Sequence, residues 1–353
     1  DGLLDRTGID PSDVDWVGLG NAIQAGVGQV PARQAVVNSE LPLDTAVTTI
    51  NEASGSGVRA LALAANRIVA GRADFAIAGG MESMSNAPYL LPDYREGRRH
   101  GNGEVVDSMI RDGLWDLDYE GHMGEITEEM VDREDLSREA IDEYALRSHR
   151  LAAENIQEGT FDAETVAVET PDGLVERDEG PRPESTRESM GRLPTPFAEN
   201  GTITPGNASK LADGAGCVLL ADEQVAHEQG FGVMAHLVDY AVSYRPPAEF
   251  NEAVGDVVEK LLTRNDLSVE DVDHYEINEA FAAQTVYVRD RRGSPEEGLN
   301  PNGGAVAFGH PIGASGGMLA TSLAYAMERE DATYGLVGMS VGGGGAIMAL
   351  LER

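Results

Sequence analysis

Ser315 lies in Gly313-Ala-Ser-Gly-Gly317, the spacing of a nucleophile elbow, where a strained strand-to-helix turn presents a serine for acyl transfer. That chemistry needs an acidic residue and then a histidine further along the chain. The histidines are at 100, 122, 149, 227, 236, 274 and 310, so none follows Ser315 and the elbow reading fails. Ser54 occupies another glycine turn, Ser54-Gly-Ser-Gly57, between an apolar run and a helix-length segment. A serine hydroxyl is a poor nucleophile and needs a positioned general base at the moment of attack. His310, in Gly309-His-Pro-Ile-Gly313, is an imidazole in an otherwise apolar loop with little structural reason to be there. Other chemistries drop out. No G-x-x-x-x-G-K-[ST] exists, H-E-x-x-H is absent, and Gly18-Leu-Gly20 runs on to Ile23 where a dinucleotide fingerprint needs a third glycine. No metal and no bound cofactor is expected. The single cysteine, Cys217, excludes a disulfide framework and cysteine-ligated zinc, and suits a reducing cytoplasm.

The elements that must position these residues read as alternating buried strands and helices. Thr45-Ala-Val-Thr-Thr-Ile50, Phe75-Ala-Ile-Ala78, Tyr334-Gly-Leu-Val337 and Ala346-Ile-Met-Ala-Leu-Leu351 are short apolar runs with the look of interior strands. Val58 to Val69 and Gly317 to Glu328 are helix-length and apolar around most of their circumference, so they are expected to be covered on most sides. Such alternation is α/β, with helices on both faces of a sheet. A repeat is visible: Ser54-Gly-Ser-Gly57, a helix and Phe75-Ala-Ile-Ala-Gly79 match Ala314-Ser-Gly-Gly317, a helix and Tyr334-Gly-Leu-Val-Gly338. The middle of the chain differs in kind. It is polar and proline-containing, with Asp172-Gly173 and Pro181-Arg-Pro183, and holds an amphipathic helix starting at Ser137 and running to about Gln157.

The motifs taken in order are Thr48-Thr-Ile-Asn51 before Ser54-Gly-Ser-Gly57, Ala78-Gly-Gly-Met-Glu-Ser-Met-Ser85, Gly121-His-Met-Gly124 and Gly206-Asn-Ala-Ser209 with Asp213-Gly214. Asn278-Glu-Ala-Phe-Ala282, Gly309-His-Pro-Ile-Gly-Ala-Ser-Gly316 and Ser340-Val-Gly-Gly-Gly344 complete them. In this order and spacing the chain resembles the thiolase family, the acyl-CoA C-acyltransferases, over nearly its whole length. The resemblance implies two similar βαβαβαββ halves in a five-layered αβαβα core with a loop domain. Residues 1–83 and 212–232 would form the first half, 84–211 the loop domain and 233–353 the second half. The family's first strand has no match here, which implies a segment ahead of Asp1.

One departure matters. The family has a nucleophilic cysteine where this chain has Ser54, and an acid/base cysteine where it has Ser340. The resemblance implies that Ser54 carries the acyl group, with His310 as its base and a holder of the thioester oxygen. Asn278 would position a water in that oxyanion site. The N–H groups of Ser54 and Gly342 would form a second oxyanion hole, and Ser340 would stand where the α-proton of the second acyl-CoA is removed. Leu114, His122, Met123, Arg182, Ser189, Phe197, Ser209, Ala280 and Phe281 match positions lining the coenzyme A tunnel, with Arg182 meeting a phosphate. The implied reaction is reversible Claisen condensation and thiolysis of 3-oxoacyl-CoA. The rival is a catalytically impaired subunit of the same fold that binds coenzyme A or serves in assembly.

Composition narrows the setting. There are 26 Lys+Arg against 61 Asp+Glu, a net charge of −35. Nucleic-acid or anionic-membrane binding needs a concentrated basic face, so neither is expected. The partners expected are acyl-CoA and CoA, a second or further copies of the chain as homodimer or homotetramer, and, as with some archaeal relatives, a small OB-fold subunit. Lys210 and Lys260 are the only lysines, leaving 26 − 2 = 24 arginines. This balance suits a halophilic protein kept soluble in concentrated salt, where self-repulsion is screened; cysteine usage suits the cytoplasm, and the resemblance implies a place in lipid metabolism. The screening length falls from about 10 Å at 0.1 M salt to about 3 Å at 1 M. On dialysis from molar salt to below a few tenths molar, the hydrodynamic radius measured by light scattering should therefore change as compactness or assembly is lost. An unchanged radius contradicts the halophilic reading.

Overall fold

The computed structural model describes residues 1–171 and 173–353; Asp172, part of the polar middle read above, lies outside the described residues. In chain order the elements that matter here are β1 (Trp16–Gly20), α1 (Pro31–Val37), β2 (Ala46–Ile50), α2 (Ser56–Val69) and β3 (Phe75–Ser83). The loop region contributes α3 (Met123–Glu134) and α4 (Arg138–Glu158). Then follow β4 (Asp213–Ala221), β5 (His236–Tyr244), α5 (Phe250–Arg264), β6 (His274–Ile277) and α6 (Ala282–Arg292). The chain closes with α7 (Ser315–Glu330), β7 (Tyr334–Val341) and β8 (Gly345–Glu352).

Two sheets result. The first has the order β4-β3-β1-β2, with β1, β2 and β3 parallel and β4 antiparallel. The second has the order β5-β8-β7-β6, with β6 and β7 parallel and β8 antiparallel to β7. The internal repeat is thus real in three dimensions: β1, α2, β3 and β4 correspond to β6, α7, β7 and β8. The counterpart of β2 is reduced to one parallel bridge, Tyr275 with Leu299.

Helices α2 and α7 lie between the sheets as a central layer. Their side chains join both sheets in one apolar cluster, with Val58, Leu61 and Leu323 packed among Trp16, Ala76, Val337 and Ile347. A second cluster covers the outer face of the first sheet through α1, and a third joins α5, α6, α3 and α4 to the outer face of the second. The order of layers is helix, sheet, helix pair, sheet, helix. In α2, Val58, Ala60, Leu61, Ala62 and Ala64 are buried, while the polar Arg59, Asn66 and Arg67 share its more open side. The amphipathic α4 begins where its capping residue directs, with Ser137 Oγ accepting from the N–H of Ala140 at 3.1 Å.

The central helices can touch only because they lack side chains at the crossing. A Cβ at Gly57 would lie 2.6 Å from the amide nitrogen of Gly317 and 2.8 Å from the Cα of Gly316. Those are backbone atoms on a helix held by two sheets, so they cannot step aside. Gly57→Ala should lower stability by about 1–3 kcal/mol through overpacking. A urea titration in molar salt would show this as an earlier midpoint with an unchanged slope; an unshifted midpoint contradicts the close crossing.

Candidate active site

Strand β2 ends at Ile50, and the chain turns sharply before α2 begins at Ser56. The turn is knitted by its own polar groups. Asn51 Oδ1 accepts from the N–H of Ala53 at 3.1 Å, and Ser56 Oγ accepts from the N–H of Glu52 at 2.9 Å while donating to the carbonyl of Ala53 at 2.6 Å. Ala53 is held at φ 47, the left-handed region that costs a non-glycine residue about 1–2 kcal/mol. This is the tight strand-to-helix turn expected at Ser54.

Ser54 Oγ lies 2.9 Å from His310 Nε2, across 256 residues of sequence. His310 Nδ1 in turn lies 2.6 Å from Ser315 Oγ, whose hydroxyl also reaches the carbonyl of Pro311 at 3.3 Å. A Ser315 proton directed at that carbonyl would leave its oxygen to accept from Nδ1–H, and the tautomer so held turns the Nε2 lone pair to the Ser54 hydroxyl. Burial alone pushes the imidazole of His310 down to about 4, so it is a neutral base at ordinary pH. Ser315 therefore has a role that the sequence did not reveal. Its position five residues after His310, on the first turn of α7, is local, but nothing in the spacing marks it.

Two helix N-termini converge here. Those of α2 and α7 meet at Gly57 and Gly316, and each carries about half a positive charge. No described residue accepts a hydrogen bond from the N–H of Ser54 or of Gly342. Gly342 is on the β7–β8 turn, where Val341 packs against Gly55, since a Cβ at Gly55 would lie 2.7 Å from Val341 Cγ2. The turn thus abuts Ala53 and Gly55, and two N–H groups without a described acceptor stand near Ser54, one from each half.

Ser340 is buried on β7, opposite Ala346, and its hydroxyl makes no hydrogen bond to a described residue. Asn278 follows β6 directly, anchored by its N–H to the carbonyl of Gly338 at 2.9 Å, and its buried Nδ2 has no acceptor among the described residues. Neither side chain hydrogen-bonds to Ser54 or His310 among the described residues. Both stand at the C-terminal ends of parallel strands, where α/β sheets place their ligand sites.

Buried carboxylates hold the surrounding loops. Glu82 accepts from Asn21 Nδ2 at 2.7 Å, from the N–H of Ala22 at 2.8 Å and from the N–H of Gly313 at 2.9 Å. Glu279 accepts from Tyr144 Oη at 2.8 Å, Ser148 Oγ at 2.7 Å, Asn300 Nδ2 at 3.0 Å and the N–H of Val306 at 3.0 Å. A charge taken out of water is tolerable only with such a full set of donors. An acid placed inside an apolar strand run, as in Met81-Glu-Ser83, was the available signal for Glu82.

The residues assigned to the coenzyme A tunnel fall into groups. His122, Met123 and Phe197 are one: the rings of His122 and Phe197 stack at 4.7 Å, and burial lowers the imidazole below its ordinary range. Ser209, Ala280 and Phe281 are another, joined by the N–H of Ser209 to the carbonyl of Ala280 at 3.0 Å. Leu114 packs with Ile23 and Ile312, two residues from His310. The Arg182 side chain is exposed and forms no ion pair among the described residues, while its N–H donates to His149 Nδ1 at 3.2 Å. Ser189 is exposed, and its hydroxyl is committed to capping a short helix through Thr186. Lys210, unassigned from sequence, reaches the carbonyls of Gly180 and, at 3.1 Å, Ala307, and its own carbonyl accepts from the N–H of His310 at 2.9 Å. Burial and then the neighbouring Arg182 lower its ammonium to about 8.

Residues 1–224 match the family described as thiolase, N-terminal domain, and residues 231–353 match thiolase, C-terminal domain. The chain is 42% identical over 355 residues to the acetyl-CoA acetyltransferase of Escherichia coli K12, covering 99% of this chain and 90% of that protein. It is 41% identical to the acetyl-CoA acetyltransferase of Chromobacterium violaceum, over 99% of this chain and 91% of that one. The crystal structure of Bacillus anthracis acetyl-CoA acetyltransferase superposes with a TM-score of 0.96 at 35% identity, covering 99% of this chain and 90% of that chain. Two family domains spanning both halves, and a matching structure over nearly the whole chain, establish that this protein belongs to the thiolase family.

Proposed function

We propose that the chain is an acyl-CoA C-acyltransferase that carries its acyl group on Ser54. The observation that carries this reading is the Ser54 Oγ to His310 Nε2 hydrogen bond of 2.9 Å, since it supplies the base that a serine lacks. In acylation the Ser54 oxygen attacks the thioester carbonyl while its proton passes to His310 Nε2. The tetrahedral oxyanion is met by the N–H groups of Ser54 and Gly342 and by two helix N-termini. The C–S bond then breaks, and His310 returns the proton to the departing CoA thiolate. The product is an acyl oxyester on Ser54.

Resolving that ester completes the reaction. For thiolysis, CoA attacks the Ser54 ester and takes the acyl group. For condensation, the Cα of acetyl-CoA loses a proton beside Ser340, its carbanion attacks the same carbonyl and expels the Ser54 oxygen, and that same proton ends on the Ser54 oxygen by way of His310 Nε2. The names of the relatives, acetyl-CoA acetyltransferases, support acetyl-CoA and acetoacetyl-CoA as the substrates to try first. Asn278, with its buried free Nδ2, suits the thioester oxygen or a water beside it.

Incubation with acetyl-CoA in molar salt, followed by peptide mass spectrometry, should find one acetyl group on the Ser54 peptide. Ser54→Ala should abolish the label, and His310→Ala should slow acylation by about 10²–10⁴-fold by removing the general base. A protein that binds CoA yet never acquires the label is the impaired subunit instead. The pH profile gives an independent check. Because burial holds His310 near 4, the base stays unprotonated and acylation should be level between pH 8 and 5.5. An ordinary imidazole, titrating near ~6.5, would retain only about a tenth of its base form at pH 5.5. A tenfold fall in initial rate over that interval contradicts a buried neutral base.

A further inference from the structure

The acyl group on Ser54 can leave by attack of carbon, sulfur or oxygen, and the site is unequally equipped for these. Carbon attack needs a base for the α-proton. The residue in that place is Ser340, a buried neutral hydroxyl that no described residue engages and so none deprotonates. Oxygen attack needs a general base beside the ester, and that base is already in place. Once Ser54 is acylated it no longer has a proton to give His310. The Nε2 lone pair then faces the next nucleophile to arrive, held in that tautomer by Ser315 on Nδ1 at 2.6 Å.

The rest of the arrangement is that of a serine hydrolase. A nucleophile stands on a strained strand-to-helix turn marked by Ala53 at φ 47, and its base is oriented by a third residue. The N–H groups of Ser54 and Gly342 have no described acceptor, and two helix N-termini meet nearby, so donors are at hand for an oxyanion. Asn278 Nδ2, a buried donor without an acceptor among the described residues, is equipped to bind a water oxygen. The orienting group is a neutral hydroxyl where hydrolases commonly use a carboxylate, so imidazolium formation is supported less strongly.

We propose that the site is an acyl-CoA thioesterase, and that with acyl-CoA alone hydrolysis outruns carbon–carbon bond formation. The inference rests on the acyl-Ser54 reading and extends it to the fate of the ester. In the first half-reaction the thioester C–S bond breaks, an ester C–O bond forms to Ser54, and CoA leaves as the thiol. In the second, water attacks the ester carbonyl with its proton passing to His310. The bond to Ser54 breaks, the proton returns to the Ser54 oxygen, and the carboxylic acid departs. Water is the only co-reactant, and no oxidant or reductant enters.

The test uses the full chain in molar potassium chloride with carbonyl-labelled acetyl-CoA and no added CoA. Free thiol, acetate and acetoacetyl-CoA are followed together, and Ser54 acetylation is read by mass spectrometry. The expected result is thiol and acetate in equal amounts over many turnovers, at least tenfold above acetoacetyl-CoA. Ser54→Ala and His310→Ala should each lower thiol release a hundredfold or more. Acetyl enzyme freed of excess substrate and diluted into buffer should lose its acetyl mass at the turnover rate, a measurement independent of any variant. Acetoacetyl-CoA in excess of acetate overturns the hydrolytic proposal while upholding acyl-Ser54. So does a stable acetyl-Ser54 that never turns over. No acetylation and no product overturn both readings.

Discussion

The hydrogen bond between Ser54 and His310 sets the terms for the rest of the molecule. It joins residues from opposite halves of an internal repeat, so it exists only if the halves are locked in one relation. That relation is fixed at the crossing of α2 and α7, where Gly57 meets Gly316 and Gly317 with no room for a methyl group. Close approach there brings two helix N-termini to one point. A neutral imidazole and a serine hydroxyl sit where positive potential is already built in. Sheet packing, glycine placement and chemistry are therefore one constraint expressed at three scales.

The loops at the site are fastened by carboxylates that the fold has taken out of water. Glu82 binds backbone from the segment after β1 and from the turn before α7, so it joins the two halves. Glu279 ties α4 to the turn that leads to His310, through Tyr144, Ser148 and Val306. Glu128 holds the approach to Ser209 by accepting from the N–H of Thr202 and Ile203. Each carboxylate gathers several N–H or O–H donors, the condition under which a buried charge organises loops and does not unfold them. A chain with so large an acid excess thus uses acids inside as fasteners as well as on its surface.

Much of this was legible in sequence because it is local. The strands at Thr45–Ile50 and Ala346–Leu351, the cap at Ser137 and the repeat around Ser54 and Ser315 depend on neighbours in the chain, and they lie where the patterns put them. The pairing of Ser54 with His310 came from resemblance, since no spacing rule links residues 256 apart. The third residue of the relay was missed for a physical reason. Ser315 was set aside as a nucleophile because no histidine follows it, and its contact with His310 Nδ1 belongs to no motif that spacing could mark. Ser189 matched a tunnel position, yet in the fold its hydroxyl is spent on a helix cap. Long-range polar partnerships leave no periodicity, so Glu279 and Lys210 became visible only in three dimensions.

The central claim is that His310 presents an unprotonated Nε2 to the Ser54 hydroxyl while Ser315 holds the proton on Nδ1. Nitrogen-15 NMR of histidine-labelled protein at neutral pH, with His310 assigned by comparison with His310→Ala, reads this directly. The account predicts an amide-like, protonated shift at Nδ1 and an imine-like, unprotonated shift at Nε2, with only the latter moving in Ser54→Ala. A proton on Nε2, or an imidazolium with both nitrogens protonated, would contradict it.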